Sequence, residues 1–327
     1  MSPQFADYDA DGRLDLVAGI FDGSPHVSLG GADGFGPPQQ ILDRKGARIM
    51  LNMFWNHDTK QWDKTQIHDV PGAVVPEGQC TSAVAFDWDA DGDFDLLLGD
   101  YKTGRIYRRM NQGRKGAAEF EEVNLPLMNG GKPLTVPGDV ATLRLFDWNR
   151  DGLIDLVVGA VNGDDYVGPG VYWLKNIGKA GVPEFAAPSA LIPGRKGEQS
   201  EPSAPSHGLY PDVGDVDGDG DFDIIVGGQS SYTPTSRALT DAEKTRVNEL
   251  NAALEAHSER RRAILTKIRA AVKGREDDTK LYTELYDAER PTMEDITRQE
   301  LLLRKELEAL APSLKTANGV WLFLNGG

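Results

Sequence analysis

Carboxylates recur in this chain at a spacing that suits one kind of chemistry. The pattern Asp-x-[Asp/Asn]-x-Asp-Gly-x-x-Asp occurs four times, with oxygen-bearing side chains at positions 1, 3, 5 and 9. The first copy holds Asp7, Asp9, Asp11 and Asp15, and the second holds Asp87, Asp89, Asp91 and Asp95. The third holds Asp147, Asn149, Asp151 and Asp155, and the fourth holds Asp215, Asp217, Asp219 and Asp223. Two bare carboxylates ~4 Å apart repel by roughly 4 kcal/mol at an effective dielectric of about 20, so loops this acidic call for a cation. Oxygen donors at this density suit Ca²⁺, which takes about six to eight of them at roughly 2.3–2.6 Å. Up to four calcium ions are expected. Position 7 varies (Arg13, Asp93, Leu153, Asp221), which fits a ligand supplied there by the main-chain carbonyl. Four metal-free polar turns would not repeat the same acidic spacing.

An EF-hand loop begins in the same way but needs a bidentate Glu at position 12 and flanking helices. Here position 12 is Ala18, Leu98, Val158 or Val226, none of which binds a metal. Each lies in a short apolar run ending in Gly, such as Leu96-Leu97-Leu98-Gly99, which has strand length and composition. The loops therefore join two strands, and the ninth-position Asp closes the site. Position 6 is Gly in every copy (Gly12, Gly92, Gly152, Gly220), as a sharp backbone reversal requires.

The elements that position these loops repeat as well. Loop starts at residues 7, 87, 147 and 215 mark units of supersecondary size. Thr81–Phe86 and Val140–Phe146 precede loops as strands. Ile106–Asn111, Val171–Asn176 and Val320–Asn325 follow as later strands aligned on a shared Asn, with Gly113, Gly178 and Gly327 at one offset beyond it. Another strand opens on Phe35, Phe120 and Phe185. Tyr107, Tyr172 and Trp321 share one strand position, which predicts core. Four short strands per unit predict one propeller blade each, so the expected fold is a mainly β, four-bladed β-propeller or part of a larger ring.

These residues resemble the FG-GAP/VCBS repeat family, which includes the calcium-binding blades of integrin alpha-subunit propellers. FDWDADGDFDLLLGD (86–100) and GDVDGDGDFDIIVGG (214–228) carry the resemblance. It covers the chain except residues ~230–317 and the stretch 46–72. It implies Ca²⁺ in the loop between the first and second strands of each blade. Asn149 departs from the pattern, although an amide oxygen can still ligate.

Three segments follow. Residues 1–236 are expected to hold the blades, with an extra hairpin over 46–72 (Ala47–Asn56 and Gln61–Val70). Residues 237–316 are expected to form an α-helical antiparallel hairpin, coiled-coil-like, inserted in the last blade, and 317–327 the return strand. Thr240-Asp241-Ala242-Glu243 is a capping box. Val247, Leu250, Leu254, Ile264, Ile268 and Val272 follow at helical spacing before Gly274 ends the helix. The second helix is expected after Pro291, carrying Ile296, Leu303, Leu307 and Leu310, with Pro312 as its stop. A chain that begins just ahead of one loop and stops where an outer strand should start reads as a piece of a larger propeller.

The formal net charge is −16. Most of it is concentrated in the four loops, and four divalent ions would offset half, so nucleic acid is a poor partner. One cysteine, Cys80, gives no disulfide framework. No apolar run is long enough to span a membrane. Millimolar calcium supports weak extracellular-type sites, which predicts a secreted, periplasmic or surface location.

Nothing matches a nucleophile elbow, a Walker loop or a Rossmann fingerprint. The first functional reading is a non-enzymatic, calcium-stabilised propeller that binds a protein or a glycan. The helical hairpin then serves as a second contact surface or a self-association arm. The alternative is a carbohydrate-active enzyme akin to propeller-type polysaccharide lyases. Arg105, Arg108 and Arg109 alternate faces on one strand and give no convergent set for it. His57 and His68, near Trp55 and Trp62 on the extra hairpin, are candidate contacts for a sugar or peptide, against packing on the propeller as the plainer reading. His207, in the loop 201–211, is a further candidate.

Overall fold

The computed structural model describes residues 3–51, 53–64, 80–161, 170–193, 199–234, 238–274 and 278–325, with backbone alone for Lys64, Thr81, Ala141 and Asp278. His68 and Gly327 lie outside them. The chain is mainly β with two long helices, and it divides into two compact units. Unit 1 comprises Met1–Gly197, Pro202–Ser231 and Thr316–Gly327, and unit 2 comprises Glu198–Glu201 and Tyr232–Lys315.

Unit 1 is built from small antiparallel meanders in chain order. The first sheet contains β1 (Gln4–Ala6), β2 (Asp15–Gly19), β3 (Pro25–Ser28) and β4 (Gln39–Gln40). A separate two-stranded hairpin, β5 (Met53–Asn56) and β6 (Gln61–Lys64), pairs Trp55 with Trp62. The second sheet contains β7 (Cys80–Phe86), β8 (Asp95–Asp100), β9 (Ile106–Arg109) and β10 (Leu125–Pro126). The third contains β11 (Asp139–Phe146), β12 (Asp155–Val161), β13 (Val171–Leu174) and β14 (Ser189–Ile192). The fourth has three strands among the described residues: β15 (His207–Gly214), β16 (Asp223–Tyr232) and β17 (Lys315–Phe323). Each acidic loop joins the first and second strands of its sheet.

The second strands of the second and third sheets are apolar without alternation because both of their faces are buried. Leu97 packs with Val140, Leu143 and Tyr172 of the third sheet, whereas Leu96 and Leu98 pack with Val17 and Val27 of the first. One sheet later the pattern repeats. Leu156 and Val158 face the second sheet, and Val157 joins Leu209, Ile224 and Val226 of the fourth. Opposite side chains in a strand point to opposite faces, so a three-residue apolar run glues three sheets in series. The terminal glycines have a reason as well. A Cβ on Gly99 would lie 2.5 Å from Val140 Cγ1, and one on Gly159 would lie 2.2 Å from the Leu209 carbonyl. Each glycine lets the first strand of the next sheet cross closely.

Several expectations need correction. Of the extra hairpin expected over 46–72, Ile49 and Leu51 are instead buried with the first and second sheets, and residues 65–72 lie outside the described set. Among the described residues its ladder pairs Met53–Asn56 with Gln61–Lys64. In place of another strand opening on Phe35, Phe120 and Phe185, the buried Phe120 and Phe185 form isolated bridges to Asn111 and Asn176, and the half-exposed Phe35 sits in a small Gly30–Phe35 hairpin against Phe5. Trp321 is half-buried rather than core, and its indole donates to the Pro202 carbonyl at 3.2 Å.

In unit 2, α1 (Asp241–Val272) starts at the predicted capping box. Thr240 Oγ1 accepts from Glu243 N–H at 3.3 Å, and the Glu243 carboxylate accepts from Thr240 N–H at 2.8 Å. Gly274 follows it at φ +80°, the left-handed stop that glycine adopts freely. The second helix, α2 (Asp278–Leu310), begins thirteen residues before Pro291 and runs through it. Proline there removes one backbone hydrogen bond at a cost of about 3 kcal/mol. Good helix formers on either side and the Arg246–Glu306 and Arg261–Glu300 pairs to α1 offset that loss. Arg246 grips Glu306 through two bonds, at 2.7 and 2.9 Å, and Arg261 reaches Glu300 at 2.8 Å, so the helices run antiparallel. Among the described residues, no helix is long and apolar enough to cross a membrane.

Candidate metal centres

The four loops share one backbone scaffold. The position 1 carboxylate accepts the position 6 glycine N–H: Asp7 from Gly12 at 3.1 Å, Asp87 from Gly92 at 3.2 Å, Asp147 from Gly152 at 2.9 Å and Asp215 from Gly220 at 3.2 Å. The position 5 carboxylate accepts the position 7 N–H, as Asp11 does from Arg13 (2.8 Å) and Asp91 from Asp93 (3.0 Å). Asp151 and Leu153, at 3.0 Å, and Asp219 and Asp221, at 2.9 Å, repeat it. Gly12, Gly92, Gly152 and Gly220 have φ between +87° and +96°. Position 4 is left-handed too, in Ala10, Ala90, Arg150 and Gly218, and no residue preference in the sequence announced it.

Asp15, Asp95, Asp155 and Asp223 are buried and act first as struts. In each, one carboxylate oxygen accepts the loop's position 2 N–H, from Tyr8, Trp88, Trp148 or Val216. The other accepts an N–H from beyond a neighbouring strand, Gly30 at 2.7 Å, Asn111 and Asn176 at 2.6 Å each, and Asn325 at 3.0 Å. The Asn shared by the repeats is thus the residue that the strut holds. Asn111 Oδ1 in turn accepts from Gly113 and Glu119, and Asn176 Oδ1 accepts from Gly178 and Glu184. The sequence showed the recurring offset but not this role.

The remaining oxygens converge. Ligand oxygens of Asp7, Asp9 and Asp15 lie within 4.8 Å of one another, as do those of Asp87, Asp89 and Asp91, and those of Asp215, Asp217 and Asp223. In the second and fourth loops the position 7 Asp adds a further group: Asp93 Oδ1 and Asp221 Oδ1 are buried without a hydrogen-bond partner. Burial, then repulsion from Asp91, Asp89 and Asp87, raises the Asp93 pKa above the ordinary carboxylate range. Burial and the neighbouring Asp219 raise Asp221 in the same way. Asp95 is pushed up to about 6 by burial, partly offset by the N–H groups of Asn111 and Trp88. A hard cation would satisfy these orphaned oxygens and relieve the repulsion. The donor set fits such an ion.

The third loop differs. Asn149 replaces one carboxylate, and Lys175 Nζ sits 3.4 Å from Asp151 Oδ2. The Leu153 N–H, the Asn149 amide and that ammonium hold the Asp151 pKa below its usual value. Arg150 places its guanidinium 4.3 Å from the Phe222 ring centre and donates to the Gly220 carbonyl of the fourth loop. In the first loop, Arg13 Nη1 lies 3.0 Å from Asp11 Oδ2.

Loops also touch the next sheet. A Cβ on Gly116 would meet the Asp9 carbonyl at 2.4 Å, and one on Gly181 would meet the Asp89 carbonyl at 2.7 Å. Both glycines sit in turns of the following sheet, with φ of +76° and +73°. Trp88 packs on Phe185 across the boundary between the second and third sheets, and Trp148 on Phe222 across the next one.

The arginines of the alternative reading stay apart. Arg109 is buried against Asp43 and Asn124, with a pKa lowered to about 10 by burial, and Arg108 lies over Trp88. His207 bonds its neighbour Ser206 at 2.8 Å.

Residues 87–158 match the family model described as an FG-GAP-like repeat. The chain therefore carries a repeat of the FG-GAP/VCBS family, and the match runs from the second acidic loop through the third. No curated protein matches the chain.

Proposed function

We propose that this protein is a calcium-stabilised β-propeller module that works outside the cytosol as a binding scaffold for a protein or a glycan. The single observation behind the reading is the pair of buried, partnerless oxygens, Asp93 Oδ1 and Asp221 Oδ1, each among carboxylates at one position of a repeated loop. In this reading each four-stranded sheet is a blade, and sheets that bury both faces in series are what a ring of blades requires. Asp7, Asp9 and Asp11, and their counterparts in the other loops, supply side-chain oxygens (an amide oxygen from Asn149), and position 7 supplies a carbonyl or carboxylate. The ninth Asp ties the loop to the sheet. The third loop, with Asn149 and Lys175, is the weakest site. The helical unit is inserted between the adjacent strands β16 and β17 and offers a second contact surface or a self-association arm. The acidic surface disfavours nucleic acid.

A calorimetric melt in calcium and in chelator tests the reading. Three loops at tenfold saturation contribute roughly 4 kcal/mol by mass action. For a β unit of this size that is a rise of about 10 °C in Tm. Equal melting temperatures under the two conditions would overturn it.

A further inference from the structure

Away from the acidic loops, the turn after β2 and the β5–β6 hairpin enclose a notch of about 590 Å³ lined by Ile20, Phe21, Asp22, Trp55, His57 and Trp62. We propose that this notch binds a neutral pyranose unit of a glycan, which gives the binding scaffold proposed above a ligand class and a place for it.

The walls are aromatic and set at right angles. Phe21 and Trp62 meet edge to face at 5.7 Å, and Trp55 and Trp62 do so at the same distance. Phe21 remains 64 % exposed and Trp62 36 %, so apolar ring surface faces water at a loop tip. Exposed aromatic surface grouped around a concavity marks a binding site more often than a packing fault.

The floor is polar and preformed. Asp22 is buried, and its Oδ1 accepts both N–H and O–H of Ser24, at 3.0 and 2.8 Å. Its Oδ2 accepts no directed hydrogen bond, although Arg48 Nη2 lies 2.8 Å away. That nitrogen donates instead to the Asp22 carbonyl at 2.9 Å, and Nη1 donates to the Trp55 carbonyl at 3.0 Å. His57 and His26 place Nε2 at 3.5 and 3.7 Å from the same Oδ2. The turn is locked under the hairpin: a Cβ on Gly23 would lie 2.5 Å from the Met53 carbonyl, and Trp55 N–H donates to the Asp22 carbonyl at 2.8 Å.

Charge decides the ligand class. The carboxylate already faces the Arg48 guanidinium at 2.8 Å, so a cation gains little there. The guanidinium already faces two carbonyls and that carboxylate, and its one unpartnered nitrogen, the buried Nε, offers an anion no two-pronged grip. What remains is apolar ring surface beside one exposed imidazole and one buried oxygen short of a donor. A pyranose offers that combination, with C–H faces to lie on the rings and hydroxyls to donate to Asp22 Oδ2 and bond His57.

Titration calorimetry of the full chain in calcium, with neutral hexasaccharides of glucose, mannose and xylose as probes, tests the assignment. At least one should bind with a Kd of about 1 mM or tighter. Trp62→Ala should weaken it at least about tenfold, as loss of a central aromatic anchor does. His57→Ala, at an exposed side chain, should weaken it severalfold without lowering Tm. If Trp62→Ala proves unstable, Phe21→Ala, also exposed, takes its place. No binding by any probe, or binding indifferent to His57→Ala and to the ring variants, overturns the proposal, as does capture of the notch by a protein partner instead. The calcium-dependent melt is unaffected by these outcomes, so the sugar site and the metal reading fail separately.

Discussion

The second and third acidic loops follow the same nine-residue rule and end in the same buried strut, yet they reach opposite electrostatic states. The second gathers Asp87, Asp89, Asp91 and Asp93 with no ion pair to them among the described residues, and Asp93 Oδ1 is left buried without a partner. The third swaps one carboxylate for Asn149, puts Leu153 where Asp93 would be, and draws Lys175 onto Asp151. One loop gathers carboxylates without a counter-charge of its own, and the other carries part of its own. A repeated motif therefore fixes backbone shape more tightly than it fixes affinity.

The struts should be common to both loops, whatever the ion does. Asp95→Ala or Asp155→Ala strands two backbone N–H groups, each worth about 1–3 kcal/mol when left unsatisfied, for a total of roughly 3 kcal/mol. Urea unfolding should show that loss in calcium and in chelator alike. A loss seen only in calcium would make the ninth Asp a ligand and nothing more.

Proton linkage gives the next largest contrast. In chelator, the folded state holds Asp95 near 6 and Asp93 also above its ordinary value, so it binds more protons than the unfolded chain between about pH 4 and 6. Stability then falls as pH rises through that window, and the calcium-free Tm should climb between pH 7 and pH 5. Asp151 and Asp223, whose values are lowered, lose their contributions only below the ordinary carboxylate range. With calcium present the trend should reverse, because protons then displace the ion. A calcium-free Tm that falls on acidification would break the contrast.

Single charges sharpen it further. Asp93→Asn should weaken calcium at the second loop about tenfold, near 1.4 kcal/mol, while raising the calcium-free Tm. Lys175→Met should tighten the third site severalfold, read by the same calorimetric titration. The smallest effect concerns backbone strain. Ala90 holds φ +62°, and Ala90→Gly should stabilise the β unit by about 0.5 kcal/mol, since relief of left-handed strain exceeds the entropy lost to glycine.

The loops, the apolar second strands, the shared Asn and the Thr240 capping box were legible because each depends on residues a few positions apart. Contacts made over long range were not. Nothing local reveals that Gly99 and Gly159 are crossing points for the next sheet, or that Asp95 bonds the N–H of Asn111. Pro291 misled because a proline reads as a helix boundary until the packing on either side is known. The Asp22, Arg48 and His57 cluster joins residues from three separate segments, none of which carries a motif. Phe35 looked like Phe120 and Phe185 in sequence, yet it is packed against Phe5 and remains half exposed.

Gly116 and Gly181 carry one consequence beyond their turns. Each is wedged against a carbonyl of the acidic loop one sheet earlier, so that loop serves as a doorstop for its neighbour. Slackening one stop frees the next sheet to tilt, and the disturbance hands itself along the row. Such a chain should yield under mechanical load in a run rather than in isolated steps, with ionic conditions at a single turn setting where the run begins.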